Sequence, residues 1–266
     1  MIVSKLQGGL ANQIFQWAYG KSLSVSYNTE LYLDTSFYNN QSGCTPREFS
    51  LSKFPNLDFK LFNVNTYLEN PCKLNLINDE SNFRNIDFKS DIHYYLNGYW
   101  CSERYFEDNK HIIIDSLSYD DDFINKVKNS IYKEVFNKKV VSIHIRRTDY
   151  ITSNGYHPVI PISYYEKALA TIKDYDLVYV FSDDIEWCKN NLLFDNILFV
   201  EGLDDIEDMW LMSLCKNNII ANSTFSWWGA WLNKNPDKKV ISPNNWFGNH
   251  VNINQNNIIP ENWIKI

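Results

Sequence analysis

The stretch "KVVSIHIRRTDYI", residues 139–151, begins as a buried strand and then places several charged side chains at its end. Because side chains alternate across a strand, the residues of 140–146 separate onto two faces. One face carries Val141, Ile143 and Ile145, and the other carries Ser142, His144 and Arg146. A central strand of a parallel sheet is normally apolar on both faces. The polar face therefore requires a structural or a functional explanation.

From about residue 138 onward, short β-branched runs alternate with longer helical segments. The pattern predicts strands at 140–146, 177–182, 197–200, 218–221 and 239–242, and helices at 163–174, 184–192, 205–215 and 224–234. Capping boxes mark three of the helix starts, at Ser163/Glu166, Asp183/Glu186 and Asp204/Glu207. Repeated crossovers of this kind predict an α/β fold with a doubly wound parallel sheet and helices on both faces.

The N-terminal half has a less regular pattern. It opens with a predicted strand at 1–6, a helix at about 12–26 and a strand at 30–34, which together form one βαβ unit. The region 35–110 is rich in Asn, Phe and Tyr without a clear period, so we expect loops and short helices there. The segment 122–136 is predicted to be helical.

Composition limits the classes of function. The formal net charge of −7 argues against general nucleic-acid binding, which requires a basic surface. The five cysteines are widely spaced without a C-x-x-C pair, so we expect reduced thiols and no zinc site. The first residues do not resemble a secretory signal, and no apolar run approaches the ~20 residues of a membrane span. We therefore expect a cytoplasmic protein.

Polar residues follow the other predicted strands as well. They are Ser182-Asp183-Asp184, Glu201-Gly202, Asn222-Ser223-Thr224 and Pro243-Asn244-Asn245. Ligands of open α/β sheets bind at the carboxyl ends of the strands, so this edge is the predicted site. Two structural alternatives remain open: the charged residues form a buried, paired ion network, such as Arg147 with Asp149, and Asp183 serves as a helix cap. No Asp-x-Asp motif indicates a metal held with a nucleotide diphosphate.

The stretch "NSTFSWWG", residues 222–229, places hydroxyl groups and free backbone N–H groups at a predicted helix N-terminus, which favours phosphate binding. Arg146 and Arg147 would add two fixed positive charges with bidentate geometry. Together these residues predict a metal-independent diphosphate site. The alternative is that Ser223 only caps the helix while the tryptophans pack in the core.

The stretch "GGLANQIFQWA", residues 8–18, follows the first strand and opens a helix, as phosphate-binding turns do. It lacks the spacing of a G-x-G-x-x-G or P-loop motif. The two glycines serve either a tight turn or the close approach of Asn12 and Gln13 to a ligand.

Three motifs, "GGLANQIFQWA" (8–18), "HIRRTDY" (144–150) and "NSTFSWWGAW" (222–231), together with "FSDD" (181–184), resemble glycosyltransferase family 11, the α-1,2-fucosyltransferases. The second motif is also similar to one of the α-1,6- and protein O-fucosyltransferases. The resemblance implies an α/β fold of GT-B type with two Rossmann-like lobes. We expect the acceptor-side lobe at 1–137 and the nucleotide-sugar lobe at 138–266. The resemblance also implies GDP-β-L-fucose as donor, a terminal galactoside as acceptor, inversion at the anomeric carbon and no required metal or other cofactor.

Residue roles follow from motif position. The resemblance implies that Arg146 holds the β-phosphate of the leaving GDP, that His144 and Arg147 shape the same pocket, and that Asn12 reaches it from the N-terminal lobe. The other implied donor-binding residues are Gly9, Asp183, Asp184, Asn222, Ser223, Thr224 and Phe225. Among these, 223–225 would bind phosphate, and one of the two aspartates would face the guanosine.

The proposed chemistry needs charge stabilisation and a base. Departure of GDP builds negative charge, so fixed arginines would replace the metal that other enzymes use. Inversion also requires a base near the acceptor hydroxyl. The α-1,6 relatives carry a Glu in the loop after the arginine motif, but the loop 151–155 has no acid. Asp149 is the candidate base. Alternatively, it orients Arg147 while the departing phosphate accepts the proton.

The expected function is therefore fucosylation of a surface glycan such as an O-antigen or surface polysaccharide. Two rivals remain: a transferase of the same fold that uses another nucleotide sugar, and an inactive protein that binds a glycan or nucleotide. The region 35–110 is expected to shape acceptor choice, because loops usually carry specificity. Peripheral association with a membrane that carries a lipid-linked acceptor remains open.

Overall fold

The structure is a computed structural model that describes residues 1–41, 45–63, 73–79, 88–89, 91–153, 155–252, 255 and 257–266. The chain divides into two compact units. The first is Met1–Ser118 with Asn256–Pro260, and the second is Tyr119–Gln255 with Glu261–Ile266. Each unit contains a parallel β-sheet flanked by helices. This agrees with the α/β class and the two Rossmann-like lobes expected above.

The first unit is built on a five-stranded sheet. Its strands are β1 (Ile2–Lys5), β2 (Leu31–Asp34), β3 (Lys60–Leu61), β4 (Leu74–Asn78) and β5 (His93–Asn97), in the spatial order β3-β2-β1-β5-β4. Every neighbouring pair is parallel. In its described residues the α-helices are α1 (Leu10–Ser26) and α2 (Lys110–Ser116), and most of α1 is buried. The predicted opening βαβ unit is confirmed.

The expectation of only loops and short helices in 35–110 is wrong, because β3, β4 and β5 lie within this region. Part of it, including 64–72 and 80–87, lies outside the described residues. In β5, Tyr94 and Leu96 are buried, and the strand pairs directly with β1 in the centre of the sheet. Asn75 and Asn78 in β4 and Asn97 in β5 weaken the local strand signal, since Asn is depleted in strands. Pairing with β1 supplies the stability that local propensity does not.

The second unit is built on a six-stranded sheet. Its strands are β6 (Val140–Ile145), β7 (Leu177–Ser182), β8 (Ile197–Phe199), β9 (Asn217–Ile219), β10 (Val240–Ser242) and β11 (Ile264–Lys265). The spatial order is β11-β10-β9-β6-β7-β8, and every neighbouring pair is parallel. The helices are α3 (Asp121–Lys128), α4 (Thr148–Ile151), α5 (Ile162–Ile172), α6 (Ile185–Asn191), α7 (Asp205–Leu214) and α8 (Thr224–Trp231). The predicted βαβ series is confirmed; the two-residue strand β11 was not predicted.

The two faces of β6 have different environments, as its alternation predicts. Val141, Ile143 and Ile145 belong to a buried apolar cluster that includes the inner face of α5. On the other face, the buried Ser142 hydroxyl accepts a hydrogen bond of 2.7 Å from the Asn218 side chain. The polar side chain of Ser142 therefore has a structural explanation. The polar residues after it on the same face, His144 and Arg146, do not share this explanation.

The last part of the predicted first lobe, residues 119–137, belongs to the second unit. In α3, Phe123 packs against Trp210 of α7, with ring centroids 5.2 Å apart. Further along, the Tyr132 hydroxyl donates a hydrogen bond of 2.6 Å to the Glu201 carbonyl. These contacts place 119–137 in the second unit, whereas the sequence boundary after 137 assigned this segment to the first. The predicted single helix at 122–136 is also shorter, since α3 ends at Lys128 and a 3₁₀ turn follows at Lys133–Phe136.

The three predicted capping boxes have different outcomes. The Asp204/Glu207 box of α7 is confirmed, with both reciprocal hydrogen bonds present. The Ser163/Glu166 box is wrong, because α5 begins one residue earlier behind Pro161 and has no side-chain cap. The third box is displaced, because Asp184 rather than Asp183 caps α6. The displacement leaves Asp183 for another role.

Within the described part of the chain, no helix is both long enough and apolar enough to cross a lipid bilayer. Cys101, Cys188 and Cys215 are free thiols, as expected; Cys44 and Cys72 lie outside the described residues.

Candidate functional site

The predicted polar residues meet at one edge of the second sheet. Strand β6 lies between β7 and β9, and all three run parallel, so their carboxyl ends are adjacent. The Tyr150 hydroxyl donates a hydrogen bond of 2.9 Å to the Asn222 carbonyl. The rings of His144 and Phe225 lie 5.5 Å apart. The arginine motif and the start of α8, which are far apart in sequence, therefore come together as predicted.

Asp183, at the end of β7, anchors the arginine motif. Its carboxylate accepts hydrogen bonds from the backbone N–H groups of Arg147 (2.9 Å) and Thr148 (3.1 Å), and also from the Thr148 hydroxyl. Burial by itself would raise the pKa of Asp183, but the Thr148 hydrogen bond and the Arg146 charge outweigh it and hold the pKa below its usual value. The helix-cap interpretation of Asp183 is therefore wrong, and the residue fixes the backbone of the neighbouring loop.

Arg146 is held by two carboxylates. Its Nη2 lies 2.9 Å from Asp149 Oδ1, and its Nε donates to the same oxygen at 3.0 Å. The Nε also lies 3.3 Å from Asp183 Oδ2. The structural alternative of a paired ion network is correct, but its partners are not Arg147 and Asp149, because the helical turn of α4 brings Asp149 back to Arg146 at a spacing of three residues. The interpretation that Asp149 orients Arg147 fails for the same reason.

Arg147 has a different environment. Its Nε donates a hydrogen bond of 3.1 Å to Asp184 Oδ2, and its guanidinium carbon lies 3.6 Å from the ring centroid of Trp187. The Asp184 Oδ1 caps α6 by accepting a hydrogen bond of 3.3 Å from the Trp187 backbone N–H. The guanidinium thus stacks on an aromatic ring, a geometry that arginine adopts and lysine cannot reproduce. Trp187 lies outside the motifs that predicted the site from the sequence.

The cluster contains more negative than positive charge. Two arginines face the three carboxylates of Asp149, Asp183 and Asp184, so the formal charge is −1 when His144 is neutral. The sequence predicted two arginines available to an anion, and the structure shows both with protein partners. An incoming diphosphate would have to replace Asp149 at Arg146 or use the donors that remain on Arg147.

His144 is buried and neutral. Its side chain is 4% exposed, and Nδ1 has no hydrogen-bond partner within the described ranges. Burial and the nearby Arg146 charge lower the pKa of His144 well below its usual value, against a smaller opposing effect of Asp183. The ring therefore offers one donor and one acceptor nitrogen, without a positive charge, beside Phe225.

Asn222 and Ser223 hold the start of α8 in place. The fully buried Asn222 amide donates hydrogen bonds of 3.0 Å to the carbonyls of Pro158 and Trp246, while its Oδ1 has no partner in the described residues. The Ser223 hydroxyl accepts a hydrogen bond of 3.4 Å from the Phe225 backbone N–H. Residues Trp227 and Trp228 are fully buried. The structural alternative for this stretch is thus correct for the cap and the tryptophans, and phosphate binding by 223–225 stays a prediction.

An aromatic group next to Arg146 was also missed in the sequence. The Tyr150 ring stacks on His157 with a centroid distance of 4.8 Å and an interplanar angle of 13°. Phe247 lies 5.2 Å from the His157 ring, and Arg146 lies over Tyr150 at 5.7 Å. Tyr150 stands in the quoted motif, but His157 and Phe247 lack any sequence pattern that indicates their proximity. In the loop 151–155, the Ser153 hydroxyl lies 2.8 Å from the Tyr150 carbonyl oxygen and 3.0 Å from the His157 carbonyl oxygen, and Asn154 lies outside the described residues.

The N-terminal motif belongs to the first unit. Gly8 has a φ of +79°, and a side chain there would approach the Asn12 amide, so the turn requires glycine. Gly9 is the N-cap residue of α1. Gln13 is buried, and its amide bonds the backbone of Gly8, Glu48 and Ser50, so its expected approach to a ligand is wrong. The ligand contacts of Gly9 and Asn12 stay predictions.

No cluster of three or more His, Cys, Asp or Glu side chains arranged to hold a metal ion occurs in the residues that the structure describes. The expected absence of a metal requirement stays a prediction, because it concerns the reaction.

Two Escherichia coli proteins are similar to this chain along its whole length. An O-antigen biosynthesis glycosyltransferase, WbnK, is 35% identical over an alignment of 307 positions, gaps included, that covers 99% of both chains. An alpha-1,2-colitosyltransferase is 35% identical over an alignment of 292 positions, gaps included, that covers 100% of this chain and 99% of the relative.

Solved structures show the same fold at low identity. NodZ alpha-1,6-fucosyltransferase, co-crystallized with GDP, matches with a TM-score of 0.50 and 13% identity, over 86% of this chain and 90% of that chain. FUT1 from Arabidopsis thaliana, in complex with GDP, matches with a TM-score of 0.50 and 12% identity, over 92% of this chain and 71% of that chain. These matches support the GT-B assignment of the two sheets. Because the Glycosyl transferase family 11 profile also matches residues 47–266, the protein belongs to that family and is a glycosyltransferase.

Proposed function

We propose that the protein is an inverting α-1,2-fucosyltransferase that transfers L-fucose from GDP-β-L-fucose to a terminal galactoside of a surface glycan, without a required metal. The observation that carries the proposal is the meeting of the family's arginine motif with the start of α8 at one sheet edge. The whole-length similarity to an α-1,2-transferase of a deoxy sugar and to an O-antigen enzyme supports the linkage and the glycan class. Two proteins of the same fold bind GDP, which supports the nucleotide.

The proposed role of the arginines is to stabilise the leaving group. As the bond between the sugar and GDP breaks, negative charge grows on the β-phosphate, and cationic groups beside it lower the barrier. The backbone of this loop is already fixed by Asp183, so the positive groups need little reorganisation. This arrangement would provide the electrostatic contribution that a divalent cation provides in other transferases.

A base must take the proton from the hydroxyl group of the acceptor sugar. Asp149 is engaged by Arg146 at 2.9 Å, so it can serve as the base only after the donor displaces it. Displacement by the diphosphate would free Asp149 in the same event that loads the donor. The alternative is that the departing phosphate accepts the proton in a loose transition state, and this requires no movement of Asp149.

A second donor has specific support. One relative is a colitosyltransferase, and colitose differs from fucose by the absence of the 3-hydroxyl group. A site that hydrogen-bonds this hydroxyl rejects the deoxy sugar by a large factor, whereas an apolar site discriminates weakly. The ratio of kcat/KM for GDP-fucose and GDP-colitose therefore identifies the donor.

The test is release of GDP from GDP-fucose in EDTA, with and without lactose. Galactoside-stimulated release, with an α-1,2 linkage in the isolated product, is the expected result. Competition by GDP but not UDP is expected as well. Slow donor hydrolysis without any transfer to a panel of galactosides would contradict the proposed acceptor, and failure to bind GDP would overturn the proposed donor.

A further inference from the structure

An aromatic ring lies directly against the Arg147 guanidinium. Trp187, in the first turn of α6, places its ring centroid 3.6 Å from the guanidinium carbon. This is van der Waals contact, in which the cation is attracted by the face of the ring. Of the cation–aromatic contacts in the described residues, this one has the shortest distance; the Arg146 contact with Tyr150 measures 5.7 Å.

The ring and the guanidinium are also joined through one carboxylate. Asp184 Oδ2 accepts a hydrogen bond from Arg147 Nε at 3.1 Å, and Asp184 Oδ1 accepts one from the Trp187 backbone at 3.3 Å. Trp187 and Ile185 pack in turn against the buried core of the second unit. The plane of the guanidinium is therefore fixed by a rigid element and not by solvent-exposed side chains.

The terminal nitrogens of Arg147 remain available. A guanidinium carries five N–H donors, and only Nε has a protein partner in the described chain. The Arg147 side chain is only 16% exposed, so these donors are largely removed from bulk water. Leaving largely buried cationic N–H donors without an acceptor costs free energy, unless a ligand or an ordered water accepts hydrogen bonds from them. Arg146, by contrast, already has carboxylate partners at Nη2 and Nε.

We propose that Trp187 is a positioning residue: it holds the Arg147 guanidinium in one orientation so that the terminal nitrogens bind the diphosphate of the nucleotide-sugar donor. The proposal rests on the function proposed above. A free arginine loses rotational freedom when it binds an anion, and prior stacking removes most of that loss. Lysine has neither the planar group nor the Nε contact, so it cannot replace arginine here.

The test measures GDP and guanosine binding by calorimetry for the wild type, Trp187→Leu and Trp187→Phe. We expect Trp187→Leu to weaken GDP binding by about 10-fold, the scale of one partly desolvated cation–π contact. Trp187→Phe retains a ring face and is expected to restore most of this loss. Guanosine lacks phosphate, so its affinity should not change in either variant. Trp210→Leu, a tryptophan on α7 that packs on α3, is the matched control and should bind GDP as the wild type does.

Each outcome decides the proposal. Equal GDP affinity in wild type and Trp187→Leu overturns it, and an equal loss of GDP and guanosine affinity shows a general structural role and overturns it too. A wild type that binds no GDP overturns the proposed donor, and this inference with it. Should Trp187→Leu not fold, Arg147→Lys tests the same contact, because it keeps the charge and loses the stacking. It is expected to weaken GDP binding by a similar factor, and unchanged affinity would contradict the proposal.

Discussion

Replacing Asp183 by asparagine removes the negative charge that holds the backbone at Arg147 and Thr148, called here the arginine loop. In the folded protein this carboxylate accepts from two backbone N–H groups and one hydroxyl, and it lies 3.3 Å from Arg146 Nε. Asparagine has one acceptor oxygen, and its NH2 group would face donors in place of the second oxygen. At least one donor would lose its acceptor, and Arg146 would lose one of its two anionic partners.

The size of the effect follows from these contacts. Hydrogen bonds to a charged group contribute about 1.5–3 kcal/mol each, and neutral ones about 0.5–1.5 kcal/mol. Because Asp183 is partly exposed, solvent screening reduces the contribution of the ion pair. We expect Asp183→Asn to lower the free energy of unfolding by about 3 kcal/mol, which corresponds to a fall in Tm of about 6–12 °C for a domain of this size. We also expect kcat to fall by about 10-fold to 10²-fold, since displacement of a catalytic group by about 1 Å can lower the rate by about 10²-fold.

The pH dependence of this difference provides a further check. The folded-state pKa of Asp183 lies below its unfolded value, so the carboxylate stabilises the fold above the unfolded pKa of about 3.9. This stabilisation is lost as the pH falls through the lower, folded-state pKa. The difference in Tm between wild type and Asp183→Asn should therefore be constant from pH 7 to about 5 and become smaller below about pH 4.

The assay is thermal unfolding followed by circular dichroism at pH 7, together with steady-state kinetics. Asp204→Asn is the matched control, because Asp204 also accepts two backbone hydrogen bonds but lies at the start of α7, away from the arginines. The free energy of unfolding of Asp204→Asn should fall by at most about 1 kcal/mol, since asparagine caps helices nearly as well as aspartate. This control should also keep its activity. A Tm difference within about 2 °C corresponds to less than about 1 kcal/mol of unfolding free energy. If Asp183→Asn melts within that range of the wild type and retains full activity, Asp183 does not anchor the backbone at Arg147 and Thr148.

Three further predictions concern the site and its chemistry. Arg146→Ala should lower kcat by about 10²–10³, the usual effect of removing one donor to a developing charge, and activity within a few-fold of the wild type would refute this role. Activity should be unchanged after treatment with EDTA and unaffected by added Mg²⁺ or Mn²⁺, and a loss that Mg²⁺ restores would show that the arginines do not suffice. Because the folded-state pKa of His144 is lowered by burial and by Arg146, the unfolded chain binds a proton below about pH 6.5 that the folded chain does not. Stability should therefore fall as the pH drops below this value, and His144→Gln should show a smaller drop in Tm between pH 7 and pH 5. An identical drop in the variant would show that His144 is not the group responsible.

The second unit was predictable from sequence because its elements have strong local signals. Strands β6 and β7 are six-residue runs rich in β-branched and aromatic side chains, and the helices between the strands have clear periodicity. The parallel order of such strands also places their carboxyl ends at one edge, so the meeting of the arginine motif with "NSTF" could be predicted without coordinates. In the first unit, by contrast, Asn residues weaken the local strand signal of β4 and β5, and both strands are stabilised by pairing with their neighbours.

The sequence by itself determined the fold class, the family and the edge of the sheet that carries the site, because these depend on periodicity and on motifs that are contiguous in the chain. Only the tertiary structure decided which charge pairs with which. Asp149 bonds Arg146, Asp184 bonds Arg147, and Asp183 holds the loop between them. Such pairings depend on a turn of α4, on a one-residue shift in the start of α6 and on side-chain rotamers. The alternative pairings differ in side-chain position by only a few ångströms. Sequence spacing does not resolve differences of that size, whereas packing against the core fixes them.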